Sequence, residues 1–335
     1  MPIRNAWNKL GSTADEPVAG LLVLRLCPES KLDVFAAIDP QSNRRLLLLK
    51  SKVPPIRRLE NLPEGLGFRL QFVETLGDVD GIHSLRFELT DFAYADVFDV
   101  VANDVLENII RCNDSVEAFD AFAGRIAEWQ AFLNTLPSTG LSEQHQLGLF
   151  AELKFLRDIL LETCGAEEAV AAWAGPKALA KDFQFPKFAF EVKATTTKEP
   201  TRFRISNEVQ LESPKDGRLF IFGCIFERVL SGGESLPGVV KALRDLLRPS
   251  GLASARFSQL LLQSGYLDIH TEHYDSQFKT RSQYFFEVRY DFPRIIGADL
   301  RRGVGDVHYS IQLSDCRRFE ISDAEIRGML GETKK

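Results

Sequence analysis

The chain has no long hydrophobic run. Its apolar stretches, such as Leu21 to Leu24 and Leu46 to Leu49, fall far short of the roughly 18 residues that a membrane-spanning helix needs, so none is expected. Met1 to Leu10 contains no apolar segment ahead of a cleavage site, so no secretory leader is expected and a cytoplasmic location is. Cysteine is sparse: Cys27, Cys112, Cys164, Cys224 and Cys316 are odd in number and include no CxxC pair. That excludes a disulfide framework and a zinc ribbon and leaves reduced, mostly buried thiols. An excess of positive charge is also missing, since the formal net charge is -6. Any DNA contact must then be a local patch, or be shared with a partner. There is no GxxxxGK[ST] loop, GxSxG elbow or HExxH helix, which argues against an ATPase, a serine hydrolase and a zinc protease.

What is present is a chain of 335 residues, 44% hydrophobic and 26% charged, enough for one large folded domain or two ordinary ones. From Val18 to about Leu89, short apolar or alternating runs are separated by turn formers, Asp39-Pro40-Gln41-Ser42 and Pro63-Glu64-Gly65, and predict a small antiparallel sheet. Helical spacing follows over Val97 to Cys112 and, after a cap at Asp114 or Ser115, over Ala118 to Leu136. Pro137-Ser138-Thr139-Gly140 is the best linker, and divides a strand-rich α+β domain (1–138) from a second domain (139–335). There the pattern predicts a long helix from Ser142 to Thr163, stopped by Cys164-Gly165. A loop comes next, then two strands around Asp182 to Ala194, and a strand at Leu219 to Phe226. A helix near Val239 to Leu247, the segment Phe257 to Gly265, and strands at Gln283 to Tyr290 and Val307 to Leu313 complete it.

The segment Lys181 to Lys193 carries the chemistry. With Pro186-Lys187 at the centre of a tight turn, Phe183 opposes Phe190 and Asp182 opposes Glu191. Alternation then puts Asp182, Gln184, Ala189, Glu191 and Lys193 on one face, and Phe183, Phe185, Phe188, Phe190 and Val192 on the other, which is core. Opposed carboxylates are destabilising without a compensating cation. A divalent metal such as Mg2+ supplies one through hard oxygen ligands, with Lys193 on the same face to steady water or phosphate. Glu152 lies within the apolar stripe of Leu149, Leu153, Leu156, Ile159 and Leu160, so it needs a partner, either a metal site or Lys193. Glu143, Gln144 and His145 fit a solvated or capping turn at the start of that helix.

A helix Glu (Glu152), then Asp182, then Glu191-Val192-Lys193 resembles the PD-(D/E)XK nuclease superfamily. More narrowly, several runs together are similar to a bacterial family of PD-(D/E)XK members. These are Gly148 to Arg157, Trp173 with Gly175-Pro176, Lys181 to Phe185, Glu191 to Lys193, Arg204-Ile205-Ser206 and Asp291-Phe292-Pro293. The resemblance implies a restriction-endonuclease-like α/β core, a mixed central sheet flanked by helices, in residues 139–335 with a C-terminal extension. It implies a DNA endonuclease that hydrolyses phosphodiester bonds with Mg2+ (or Mn2+) in a restriction or phage-defence system, alongside ATPase and methyltransferase subunits. Asp182, Glu191, the Val192 carbonyl and Glu152 would surround the metal, and Lys193 would orient or activate water. The chain departs from the pattern at Lys181, which stands where the motif has Pro.

Two other readings stay open. One is a non-catalytic DNA-binding or scaffolding subunit of a larger defence complex, which the acidic charge favours; the other is a purely structural carboxylate and lysine network without Mg2+ affinity. Arg202 and Arg204 point to one side and either meet phosphates or form a solvated strand face. Gln210, on an expected helix, either lines the site or is solvated, and Ser206 either joins it or caps that helix. Lys279, Arg281, Arg289, Arg294, Arg301 and Arg302, interleaved with Tyr284, Phe285, Phe286 and Tyr290, offer a nucleic-acid surface unless the aromatics are core. His270 and His273 lack a completing cluster and read as surface residues.

Overall fold

Alternating residues between Leu22 and Leu89 need a sheet with one face covered, and the chain builds one. A computed structural model describes residues 3–12, 20–51, 64–65, 67–74, 83–175, 181–215 and 217–332. Contacts divide the chain into two units, Met1–Ser138 with Leu267–Ile269, and Thr139–Tyr266 with His270–Lys335. Among the described residues the architecture is mixed α/β, and no helix is long and apolar enough to cross a membrane.

In the first unit, α1 (Ile3–Gly11) precedes strands β1 (Leu22–Leu26), β2 (Asp33–Asp39), β3 (Arg44–Ser51), β4 (Glu64–Gly65), β5 (Phe68–Glu74) and β6 (His83–Leu89). They form one antiparallel sheet in the order β1-β2-β3-β6-β5-β4. Glu64-Gly65, expected in a turn, is instead the short strand β4, paired through Gly65 with Phe68. Helices α2 (Ala95–Ile110) and α3 (Ser115–Leu133) follow, the second capped by the Asp114 carboxylate, which accepts from the Val116 and Glu117 N–H groups. Helix α1 was not anticipated, although Ile3, Ala6, Trp7 and Leu10 have amphipathic spacing and are buried.

In the second unit, Ser142 caps α4 (Glu143–Phe155), which runs through a π turn (Leu156–Leu160) into α5 (Leu161–Thr163). Gly165, at φ +87, makes the break that a side chain would resist. The segment after it, expected as a loop, begins with helix α6 (Ala166–Ala172). Next come β7 (Phe183–Gln184), β8 (Phe188–Thr195), β9 (Arg202–Ile205), β10 (Arg218–Val229) and β11 (Glu234–Ser235), then helices α7 (Leu236–Leu247) and α8 (Gly251–Gln263). Strands β12 (Gln277–Glu287) and β13 (Tyr309–Gln312), helix α9 (Leu313–Cys316), strand β14 (Glu320–Ile321) and helix α10 (Asp323–Gly331) finish the unit.

The central sheet runs β11-β12-β10-β8-β7 and is mixed, since β8 and β10 are parallel and the other pairs antiparallel. Both faces are covered. Phe190, Val192, Phe220, Phe222 and Phe285 pack with residues of α4, α6, α7 and α8, whereas Ala189, Leu219 and Ile221 pack with Phe203, Ile205 and Ile311 of the β9–β13 ribbon. A strand buried on both faces cannot show simple alternation, and β10 reads as a continuous apolar run. Phe155 anchors the helical side, with ring centroids 5.0 Å from Phe183, 5.0 Å from Phe190 and 4.8 Å from Phe222. Phe155→Ala should therefore lower the free energy of unfolding by about 3–5 kcal/mol, read by urea denaturation. A loss below about 1 kcal/mol would show that these rings do not organise the core.

Candidate active site

The β7–β8 hairpin pairs Phe183 with Phe190 and Gln184 with Ala189 as expected, and the Phe185 N–H donates to the Phe188 carbonyl at 2.9 Å, but the ladder stops short of Asp182, which lies outside β7 and does not pair with Glu191 as expected. Because β7 has only two residues, the edge of β8 beyond Phe190 has no strand partner among the described residues, and Asp182 fills that gap. Its Oδ2 accepts from the Val192 N–H at 2.7 Å, while its main-chain carbonyl accepts from the Ala174 and Gly175 N–H groups at 2.8 and 3.0 Å. By alternation the Val192 carbonyl lies on the same edge.

Glu191 and Lys193 extend from the opposite face to the phenylalanines and are 1% and 8% exposed. Lys193 Nζ donates to Glu191 Oε1 at 2.7 Å and to Gln210 Oε1 at 2.8 Å. Part of the compensation expected from a metal thus comes from this lysine, while Glu191 Oε2 is buried with no hydrogen-bond partner among the described residues. Glu152, on α4, is half-buried and takes a hydrogen bond from Trp173 Nε1 at 2.8 Å, so its direct partner is Trp173 rather than Lys193. A methyl group at Gly175 would lie 2.8 Å from Glu152 Oε2 and 3.3 Å from Asp182 Oδ1, so this glycine keeps open a space bounded by two carboxylates.

The electrostatics follow from three acids crowded around one paired lysine. Burial, then the neighbouring Asp182, pushes the Glu191 carboxyl up to about 8 despite the pull of Lys193. Burial and Asp182 likewise hold Glu152 well above the usual carboxylate range, and burial raises Asp182 against the opposing effects of Lys193 and the Val192 N–H. Glu152 and Asp182 retain some accessible surface, yet mostly protein surrounds their carboxyls, so desolvation still dominates. Lys181 is 5% exposed, donates to the Val209 carbonyl at 2.6 Å, and is lowered by burial even though Glu191, Glu212 and Asp182 favour its charge.

Among the described residues, no group of three or more His, Cys, Asp or Glu side chains is placed to hold a metal ion. A hard cation such as Mg2+ does not require such a group, because it keeps several waters and binds through one or two carboxylates. The unpartnered Glu191 Oε2, the open space at Gly175 and the all-oxygen donor set fit such an ion.

The other candidates separate. Gln210 lies in a turn, not a helix, because the Asn207 carboxamide accepts from the Val209 and Gln210 N–H groups; its Oε1 is turned to Lys193 and also accepts from the Ser206 N–H at 2.9 Å. Ser206 is exposed and does not cap it. Arg202 and Arg204 are exposed on one side of β9. Glu143, Gln144 and His145 are exposed, with the Ser142 hydroxyl accepting from the His145 N–H. In the C-terminal run Phe285 and Phe286 are core, Tyr284 is half-buried beneath Arg317, and Tyr290 is exposed. Lys279, Arg281, Arg301 and Arg302 are exposed, while Arg289 pairs with Glu287 and Arg294 donates to the Leu211 carbonyl. His270 and His273 share a short 3-10 turn. Sequence reasoning assigned no site role to Trp173, Gly175, Lys181 or Asn207. A buried indole N–H needs an acceptor, which was the available signal for Trp173.

Without a bound cation, the raised Glu191 means that the folded chain keeps a proton which the unfolded chain has lost above about 4.5. Stability should then fall as pH rises from about 4.5 to about 8. Glu191→Gln should flatten that fall, leaving the part due to Glu152 and Asp182, in thermal melts with EDTA at pH 5 and pH 8. Identical slopes in the two proteins would mean that Glu191 is not held protonated.

The family model described as "Putative PD-(D/E)XK family member, (DUF4420)" matches residues 3–314. No curated protein and no solved structure matches the chain.

Proposed function

The chain belongs to this family of PD-(D/E)XK members, and from that premise we propose that it is a Mg2+- or Mn2+-dependent DNA endonuclease of a restriction or phage-defence system. Membership itself suggests a nuclease-like function and the use of a divalent metal. The observation that carries the finer reading is the buried Glu191 Oε2 without a hydrogen-bond partner among the described residues, beside Lys193 on one face of β8 and near Asp182 at its edge.

Asp182, Glu191 and the Val192 carbonyl would hold the ion, with Glu152 completing the set. When bound, the ion would offset negative charge developing on the scissile phosphate and make water more acidic. Lys193 is held by two acceptors, Glu191 and Gln210, and an ammonium has three N–H donors. Its remaining N–H can orient the attacking water or a phosphate oxygen. Asp182 fixes the edge of β8 through Val192, and Trp173 keeps Glu152 turned inward. Exposed Arg202 and Arg204 on β9 are the proposed phosphate contacts. DNA is the proposed substrate, with ATPase and methyltransferase subunits as proposed partners. A second reading, a non-catalytic DNA-binding or scaffolding subunit, has in its favour that among the described residues no group of three or more His, Cys, Asp or Glu side chains is placed to hold a metal ion.

Purified protein with Mg2+ or Mn2+ should cut plasmid or single-stranded DNA, and Asp182→Ala and Lys193→Ala should abolish cutting while keeping the wild-type circular dichroism. Full activity in both variants sinks the assignment. Metal and DNA binding without cutting favours the second reading. By titration calorimetry, Gly175→Ala should weaken Mn2+ binding at least tenfold, because its methyl group enters the space between Glu152 and Asp182. Unchanged affinity would place the ion elsewhere.

A further inference from the structure

Toward the turn of the β7–β8 hairpin, beyond Glu191, lies a cleft of about 560 Å³, within the range of small-ligand sites. Gln184 and Ala189, paired across the hairpin, form part of it. Ala189 lies two residues from Glu191 on the same face of β8, about 7 Å along the strand, and Gln184 is two residues on from Asp182, which precedes β7. Lys181 belongs to both places: it lines the cleft and interacts electrostatically with Glu191 and Asp182. Across from the hairpin, Glu212, Ser213, Pro214 and Lys215 line the cleft.

The chemistry of this lining is mixed in an informative way. Lys181 and Lys215 suit a phosphate; the Gln184 amide offers a donor and an acceptor, and the Glu212 carboxylate adds an acceptor. The half-buried Phe185, stacked on Phe188 with centroids 4.8 Å apart, adds an aromatic ring. A phosphate alone would not use an aromatic ring and a carboxylate, and a purely apolar ligand would not use two lysines. A nucleotide uses all of them: stacking for the base, hydrogen bonds for its edge and cations for its phosphate.

We propose that this cleft seats the base of the nucleotide adjoining the scissile phosphate, unstacked from its neighbours. The inference rests on the nuclease reading given above. A base paired within a duplex cannot enter such a cleft without leaving the stack, so single-stranded, bulged or readily flipped DNA is the favoured substrate over an uninterrupted duplex.

The test is fluorescence anisotropy on the full chain carrying Lys193→Ala, with Mg2+ present and the DNA left uncut. The probes are a labelled 12-nucleotide single strand, its 12-base-pair duplex, and that duplex with one bulged nucleotide. The single strand and the bulged duplex should bind about tenfold more tightly than the plain duplex, the scale of one base–aromatic stack. Adding Gln184→Ala and Lys215→Ala, both at exposed positions, should remove most of that preference. Equal or tighter binding of the plain duplex, or a preference that survives the added substitutions, overturns the inference. If the wild-type chain still cuts plasmid, the nuclease reading stands without it. No binding of any probe, together with no cutting by wild type, removes both.

Discussion

Strand β8 has to bury two faces, and only one of them is apolar. Phe188, Phe190 and Val192 join the helical core, which commits Glu191 and Lys193 to the opposite side, where Phe203 and Ile221 leave little room for water. A buried carboxylate and ammonium each need a nearby partner, and removing one partner of such a pair typically costs about 3–5 kcal/mol. Much of the surrounding structure answers that requirement. Gln210 holds Lys193 from a turn that Asn207 stabilises, and Gly223, paired with Lys193 across the β8–β10 ladder, leaves space for the Phe203 ring. Asp182 closes the strand edge where β7 ends.

The requirement is met incompletely, and the contrast with the first unit shows it. There, buried Glu88 receives Arg44 and Arg69, and buried Asp104 receives Arg125 and Trp129. Each of those acids sits against at least one guanidinium, the arrangement of a structural charge network. In the second unit three acids face one another around Lys193, and a Glu191 oxygen has no donor among the described residues. Folding to this state without further positive charge is costly. Such a cost is common where a site is organised for a ligand rather than for stability.

Several parts of this arrangement were legible from the residues alone. Phenylalanines at alternate positions around Pro186-Lys187 imply a hairpin with one apolar face, and the side-chain period of two places Glu191 and Lys193 together, whereas Asp182 lies beyond β7 and reaches the strand edge through the Val192 N–H. The Asp114 cap and the Cys164-Gly165 stop followed from local chemistry. Helices α1 and α6 were not anticipated: α1 spans only nine residues and α6 only seven, few turns for a periodic signal. Gln210 was placed on a helix because a turn held by one Asn side chain leaves little periodic trace.

Local rules are enough for strand faces, caps and turns, because they depend on neighbours within a few residues. The sequence by itself determined which residue types share the face of β8. Only the tertiary structure decided which partner each charged residue takes. Trp173 for Glu152, Gln210 for Lys193 and the Val192 N–H for Asp182 are chosen by how α4, the β7–β8 hairpin and the turn after β9 pack. The orphaned Glu191 oxygen and the cleft beyond Lys181 are likewise products of packing between segments distant in the chain, and a residue pattern carries no record of the space left between such segments.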